Sequence, residues 1–223
     1  MRFVLYNHVG SANHGCEALV RTISNMLGGK NIVLLSETPK EEKKYGITDI
    51  VVVYPAILND KKSLIDFLYC YAKLKLKNNY FYMDVLPYKS AINKLDGEDV
   101  LVSIGGDIFC YKNYPKYNLL HQYALKKIKH SILIGCSIEQ EVLADSSLIE
   151  DLKSFEIITA REHLTYDALK NVGLKNVIYC PDSAFCLSMR ETILPVNFLP
   201  GNTVGINISP LILNGFQCTT YYG

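Results

Sequence analysis

The chain has 223 residues, of which 49% are hydrophobic and 20% are charged, and its formal net charge is +1. This composition is typical of a globular protein with a sizeable core, and the near-neutral charge argues against a nucleic-acid partner. The cysteines form no Cys-x-x-Cys pair, so neither a disulfide framework nor a metal site is expected, and scattered thiols indicate a reducing, cytoplasmic location.

Short apolar runs alternate with stretches of helical periodicity along the chain. The predicted strands are 2–6, 31–35, 50–54, 99–104, 131–135, 155–159, 176–180 and 203–208. The predicted helices are 17–27, a short one that opens at Thr38-Pro39, 61–77, 118–129, 146–154 and 161–171, whereas the tyrosine-rich stretch 78–88 is left unassigned. Nearly continuous apolar strands alternating with helices predict an α/β fold, a Rossmann-like parallel sheet with helices on both faces.

The domain organisation is predicted from a proline-containing stretch near the end of the chain. We expect residues 1–190 to form the Rossmann-like domain and residues 191–202, which include Pro195 and Pro200, to form a linker. Residues 203–223 are then expected to be the first strand of a second domain that is truncated.

The first candidate site is the loop 10–17, between the first predicted strand and the first helix. Ligands bind beyond the carboxyl ends of strands in an open α/β sheet, and small residues before a helix N-terminus favour a seat for a phosphate or a carboxylate. The candidate binding residues here are Asn13, His14, Gly15 and Glu17. The alternative is a tight turn in which Asn13 caps the helix. His8 and His14 are either proton donors or merely solvated.

Two further strand ends carry unusual residues. Gly105 and Gly106 end one strand, which implies a close backbone approach, and the following Asp107 either accepts a hydrogen bond from a sugar hydroxyl or caps a helix. At the end of the next strand, Ser137 is a candidate polar contact. Its neighbour Cys136 has no basic residue beside it and is expected to be a buried, inert thiol.

Arg161 follows another predicted strand. A guanidinium at this position would face the same cleft as the glycine loops and bind a carboxylate or a phosphate through two parallel hydrogen bonds. The alternative is an ion pair with Glu162 or another acid. Asp182, after the next strand, either orients Arg161 or caps the turn that follows.

Lysines alternate with leucines in the stretch Lys73-Leu-Lys-Leu-Lys77, and tyrosines lie nearby. These lysines either rest on an anionic membrane surface or belong to a solvated helix face, and we favour the solvated face. At most a peripheral membrane contact is therefore expected.

Taken in order, the motifs resemble those of the polysaccharide pyruvyl transferase family, over almost the whole chain. They are Asn13-x-Gly15-x-Glu17-Ala18, Gly105-Gly106, Gly135-x-x-Ile138, Arg161-Glu162-x-x-Thr165, Asp182-x-Ala184-Phe185 and the segment 205–210, which resembles the opening strand of the family's second domain. Some positions depart from the family pattern. Cys16 stands where the family loop usually has Asp, and Glu162 and Thr165 replace Asp and Ser.

The resemblance implies one half of a two-domain, GT-B-like transferase. Such enzymes move the enolpyruvyl carbons of phosphoenolpyruvate onto two hydroxyls of a sugar, which forms a cyclic ketal and releases phosphate. No cofactor is expected, because phosphoenolpyruvate itself is the donor substrate. The acceptor is a saccharide of a cell-surface polysaccharide, often attached to a lipid carrier. Arg161 would bind phosphoenolpyruvate. The general-acid histidine would lie in the second domain, so the chain alone is not expected to catalyse the reaction.

Two other interpretations stay open at this point. One is a GT-B glycosyltransferase that uses a nucleotide-sugar, and the other is a non-catalytic, truncated remnant. Binding of phosphoenolpyruvate or of a nucleotide-sugar distinguishes the two enzymes.

Overall fold

The computed structural model describes residues 1–58, 63–189 and 193–206. The chain divides into two compact units, Met1–Leu187 and Ser188–Gly223. In the described ranges, no helix has both the length and the apolar character needed to cross a membrane. Every site residue predicted from the sequence belongs to the first unit, so the fold of that unit determines how these residues meet.

In the part of the chain that the structure describes, the first unit contains a sheet of eight strands, all parallel. The strands are β1 (Phe3–His8), β2 (Ile32–Ser36), β3 (Val52–Pro55), β4 (Val100–Ser103), β5 (Gly106–Phe109), β6 (His130–Ile138), β7 (Ile157–Ala160) and β8 (Val177–Tyr179). Their spatial order is β3-β2-β1-β4-β6-β7-β8, and β5 follows β4 along the same side of β6. This order is that of a Rossmann-like fold, as predicted, and it reverses between β1 and β4.

Helices connect the strands and cover both faces of the sheet. They are α1 (His14–Met26), α2 (Pro39–Lys44), α3 (Leu64–Lys77), α4 (Phe81–Val85), α5 (Lys89–Asn93), α6 (Tyr114–Ala124), α7 (Ser146–Lys153) and α8 (His163–Asn171). Successive side chains of a strand point to opposite faces. In β1, Val4 accordingly packs in one hydrophobic cluster with Leu120 of α6, and Leu5 packs in another with Ile23 of α1.

Four helices begin at different residues from those predicted, and each difference has a local cause. α3 begins three residues later, because the side chain of Ser63 caps it. α1 begins three residues earlier, because the side chain of Asn13 caps it. α6 begins four residues earlier, with Pro115 in its first turn, where a missing N–H leaves no bond unmade. α8 begins two residues later, because Glu162 is extended, with a φ of −142°. Arg161 therefore lies in a loop and not on a helix.

The remaining differences concern segments without a clear periodic pattern. β5 was not predicted, and the unassigned stretch 78–88 contains α4 and the start of a helical segment that continues into α5. The strand expected at 203–208 does not form in the described residues 203–206, and residues 207–208 lie outside the described part. Residues 61–62 of a predicted helix and 191–192 of the predicted linker also lie outside it. The domain division stays a prediction.

Candidate functional site

The predicted site residues lie near or beyond the carboxyl ends of parallel strands, and these ends share one edge of the sheet, which we call the carboxyl edge. The loop 10–17 follows β1, Arg161 follows β7 and Asp182 follows β8. Directly after Asp182, the short helical segment Ser183–Cys186 packs against α1. The segment after β8 therefore contacts α1, the helix whose first turn belongs to loop 10–17.

The guanidinium of Arg161 is held on two sides. Its Nε donates a hydrogen bond to Ser137 Oγ at 2.6 Å, and its Nη1 donates to Asp182 Oδ2 at 3.0 Å. The arginine side chain is 26% exposed. Its Nη2 has no hydrogen-bond partner among the residues that the structure describes. An arginine fixed in this way keeps N–H donors for an anion.

Asp182 and Glu162 differ in how they act on Arg161. Asp182 orients the guanidinium through Oδ2, and its Oδ1 accepts a hydrogen bond from the Ala184 N–H at 2.9 Å, so it also caps the following turn. Glu162 Oε2 lies 3.9 Å from Arg161 Nε and accepts a hydrogen bond from the Ser137 hydroxyl at 3.0 Å. The close ion pair considered from the sequence thus forms with Asp182, and Ser137 mediates between the arginine and Glu162.

The backbone N–H groups at the start of α1 are bonded largely to groups of the loop that precedes it. Asn13 Oδ1 accepts hydrogen bonds from the backbone N–H of Gly15 at 3.0 Å and of Cys16 at 3.4 Å. His14 is exposed, and its Nδ1 lies 2.9 Å from Glu17 Oε2. Asn13 therefore caps the helix, which was the alternative to a ligand seat. An anion-binding role for this loop stays a prediction.

A buried polar cluster lies beside this loop, and the sequence did not predict it. Glu42 of α2 accepts hydrogen bonds from Ser36 Oγ at 2.8 Å and from Ser11 Oγ, and its Oε1 lies 2.9 Å from His8 Nε2. All four residues are buried. His8 is therefore not solvated, and burial lowers the pKa of its imidazole, an effect that Glu42 opposes. The short charged helix α2 gave no sign that one of its acids points inward.

The two glycines between β4 and β5 have different surroundings. Gly105 has a φ of +68°, and a Cβ on it would lie 1.8 Å from the Ile134 carbonyl oxygen. The close approach predicted from the glycines is therefore an approach to the backbone of β6. Gly106 has a φ of +76°, and a Cβ on it would meet no atom within 4 Å, so this glycine borders open space. Only the second glycine leaves room for a ligand.

Asp107 lies in β5, exposed, and accepts a hydrogen bond from the Tyr111 hydroxyl. It caps none of the described helices, so the predicted cap is wrong, while the contact with a sugar hydroxyl stays a prediction. Burial raises the pKa of Cys16, and the Asp107 charge contributes to this rise. Burial also raises the pKa of Cys110 to about 11, with Asp107 adding to the rise and Arg161 opposing it. The Asp107 charge therefore acts on the thiol of Cys16 in α1 and on that of Cys110.

The buried thiol of Cys136 is not placed to act as a nucleophile, and the described residues form no metal centre. Cys136 is buried, as predicted, and burial raises the pKa of its thiol to about 12, which keeps it protonated. In the described ranges, no group of three or more His, Cys, Asp or Glu side chains is placed to hold a metal ion. The arrangement therefore offers a fixed cation and hydrogen-bonding groups.

The profile of the family described as polysaccharide pyruvyl transferase matches residues 13–212. This range includes all of the predicted site residues and most of the chain. The chain belongs to the polysaccharide pyruvyl transferase family. The resemblance seen in the sequence motifs is confirmed at the level of the family. No curated protein matches the chain.

Among solved structures, the chain is similar to KP1_0663, a functionally uncharacterized protein from Klebsiella pneumoniae subsp. pneumoniae NTUH-K2044. The two are 16% identical with a TM-score of 0.42, and the match covers 82% of this chain and 50% of that chain. The chain therefore spans about half the length of the solved structure it matches.

Proposed function

We propose that the chain provides the phosphoenolpyruvate-binding half of a pyruvyl transferase that forms a ketal on a sugar of a cell-surface polysaccharide. One observation carries the proposal, namely the guanidinium of Arg161 held by Ser137 and Asp182 at the carboxyl edge. Phosphoenolpyruvate carries a phosphate and a carboxylate, and a fixed guanidinium binds either group through parallel hydrogen bonds. Such binding requires no metal.

In the proposed reaction, one sugar hydroxyl adds across the double bond of phosphoenolpyruvate. Its oxygen bonds to C2, and a proton is delivered to C3. A second hydroxyl of the same sugar then bonds to C2, the bond between C2 and the phosphate oxygen breaks, and phosphate leaves with the remaining proton. Arg161 holds the donor and stabilises the negative charge on the departing phosphate. We assign no proton donor among the described residues.

The family implies a polysaccharide acceptor, and we propose that it binds near loop 10–17. This part of the edge carries the carboxylates of Glu17, which is paired with Arg21 and His14, and of the exposed Asp107, and such groups accept hydrogen bonds from neutral sugar hydroxyls. Donor and acceptor would thus meet between β1 and β7. A GT-B arrangement, in which a second domain faces this edge, is part of the proposal.

Calorimetric titration of the purified chain with phosphoenolpyruvate tests the donor site. We expect binding by the wild type, a loss of about 100-fold in affinity in Arg161→Ala, and a smaller loss in Arg161→Lys, since a bidentate charged contact is worth about 3 kcal/mol. Lys175→Ala is the control. It removes one exposed positive charge before β8, at the opposite edge of the sheet.

Each outcome of this titration separates the proposal from its alternatives. Binding of UDP-glucose without binding of phosphoenolpyruvate favours a glycosyltransferase. Binding of neither compound contradicts a donor site within this chain and favours a non-catalytic remnant. Equal affinity of the wild type and Arg161→Ala would show that another cation holds the donor.

A further inference from the structure

Helix α3 packs against the rest of the unit with its polar side. Asp66 Oδ1 lies 2.6 Å from Lys89 Nζ, and Cys70, on the same side of the helix, is buried. At 100° per residue, the half-buried Leu74 lies near Cys70, whereas the other aliphatic leucines and isoleucine point away from this side. They are exposed, at 70% for Leu64, 81% for Ile65, 54% for Leu68 and 84% for Leu76. A surface helix normally has the reverse arrangement, with its apolar stripe toward the core.

Aromatic and basic residues extend this apolar face. Phe67 and Tyr71 are exposed and stack with their ring centroids 6.2 Å apart. Lys75 Nζ lies 5.6 Å from the centroid of the Tyr71 ring, and Lys77 ends the helix. The acid within α3 is Asp66, which is paired with Lys89 on the inner side. The outer face therefore combines apolar side chains with positive charge and carries no carboxylate.

We propose that the outer face of α3 docks on an anionic membrane surface. An exposed apolar patch of this kind marks an interaction site. Aliphatic and aromatic side chains enter the boundary between headgroups and acyl chains, while lysines pair with anionic headgroups. Membrane contact requires a helix with apolar residues on one side and positive charge among them, and the outer face of α3 has both, with Lys75 as its basic residue. The lysines alone favoured a solvated face, and the exposed aliphatic residues beside them are what favour a membrane surface in this proposal.

A second copy of the chain fits this face less well. Pairing two such faces would bury Lys75 of each copy, and neither α3 presents a carboxylate on this side to neutralise it. An anionic bilayer supplies the missing negative charge and leaves the lysine ammonium in the wet headgroup layer.

Co-sedimentation of the purified chain with vesicles tests the proposal without donor or sugar, so its result is independent of the proposed transferase activity. Vesicles of phosphatidylcholine are compared with vesicles that also contain phosphatidylglycerol, at low and at high salt. We expect binding to the anionic vesicles that salt weakens. Ile65→Ser/Leu68→Ser and Lys75→Glu/Lys77→Glu should each reduce the partition coefficient about tenfold or more.

Matched controls distinguish docking through α3 from nonspecific vesicle binding and from misfolding. Leu164→Ser removes a leucine that is 84% exposed on α8, and Lys30→Glu/Lys175→Glu makes the same charge change at exposed positions outside α3. Both controls should bind like the wild type, and circular dichroism should show all variants folded. The proposal fails if the chain does not bind anionic vesicles, or if α3 variants and controls bind alike. It also fails if the chain forms a dimer that Ile65→Ser/Leu68→Ser dissociates and shows no vesicle binding.

Discussion

Two parts of the carboxyl edge have opposite electrostatic character. Beside β1, the groups of loop 10–17 bond to one another, and the acid Glu42 is buried among His8, Ser11 and Ser36. Beside β6 and β7, Arg161 is partly exposed and held by neighbours that leave some of its donors free. The polar groups of the first part are bonded mainly to one another, whereas the second part exposes a cation to solvent.

This difference shows that a glycine-rich loop at a strand end can bond its own N–H groups, whereas a fixed arginine keeps donors for a ligand. The N–H groups of Gly15 and Cys16 bind Asn13, and Glu17 lies beside them. An anion would have to displace the cap and approach a carboxylate. At Arg161 no such displacement is needed. We therefore expect variants of the first part to change mainly stability and variants of the second part to change mainly binding.

The largest effect is expected from Glu42→Ala. Removing this carboxylate leaves His8, Ser11 and Ser36 without their common partner in a buried place, so the free energy of unfolding should fall by about 3–5 kcal/mol. Urea denaturation followed by circular dichroism measures the change. Glu98→Ala, which removes one partner of the exposed pair with Lys129, should leave the free energy of unfolding nearly unchanged. Equal losses in the two variants would mean that the cluster is not a structural element.

The next effect is expected from Ser137→Ala, on binding. Without this hydroxyl, Arg161 Nε loses its acceptor and can close the 3.9 Å gap to Glu162, so phosphoenolpyruvate should bind about tenfold more weakly, which corresponds to about 1.4 kcal/mol. Titration calorimetry measures this, and the melting temperature should change little. Ser131→Ala, in the same strand at the opposite edge, is the control. Unchanged affinity in Ser137→Ala would show that Asp182 alone orients the guanidinium.

Strand and helix patterns predicted the class of fold and the edge at which the site residues lie. Apolar runs identify buried strands, and parallel strands place loop 10–17, Arg161 and Asp182 on the same edge. The pairing of Arg161 with Ser137 was not predicted, because it depends on the adjacency of β6 and β7. Periodicity along the chain carries no information on which strands are neighbours.

Conformation within a loop was also beyond the sequence patterns. Two adjacent glycines look alike in sequence, although Gly105 is fixed against the Ile134 carbonyl and Gly106 is open. In α2, the pattern Lys-Glu-Glu-Lys is typical of a solvated helix, and the burial of Glu42 follows from where the helix sits on β1 and β2. Such features depend on how distant segments pack together, which local sequence patterns do not reveal.

The smallest effect is a pH dependence that His8 gives to the first part of the edge. Burial lowers the pKa of its imidazole in the folded chain below the usual value of about 6.5, while Glu42 and, more weakly, Glu37 and Glu41 oppose the shift. Below that pH the unfolded chain binds more protons than the folded chain. The free energy of unfolding is therefore unaffected by His8 above about pH 6.5. It falls as pH falls below that value, by at most about 1.4 kcal/mol per pH unit for one proton. Urea denaturation at pH 7.5 and pH 5.5 should show this loss in the wild type and in His163→Asn, whose histidine is exposed, and a smaller loss in His8→Asn. A variant at His8 that keeps the full slope would place the titrating group elsewhere and would reduce the buried cluster to a purely structural role.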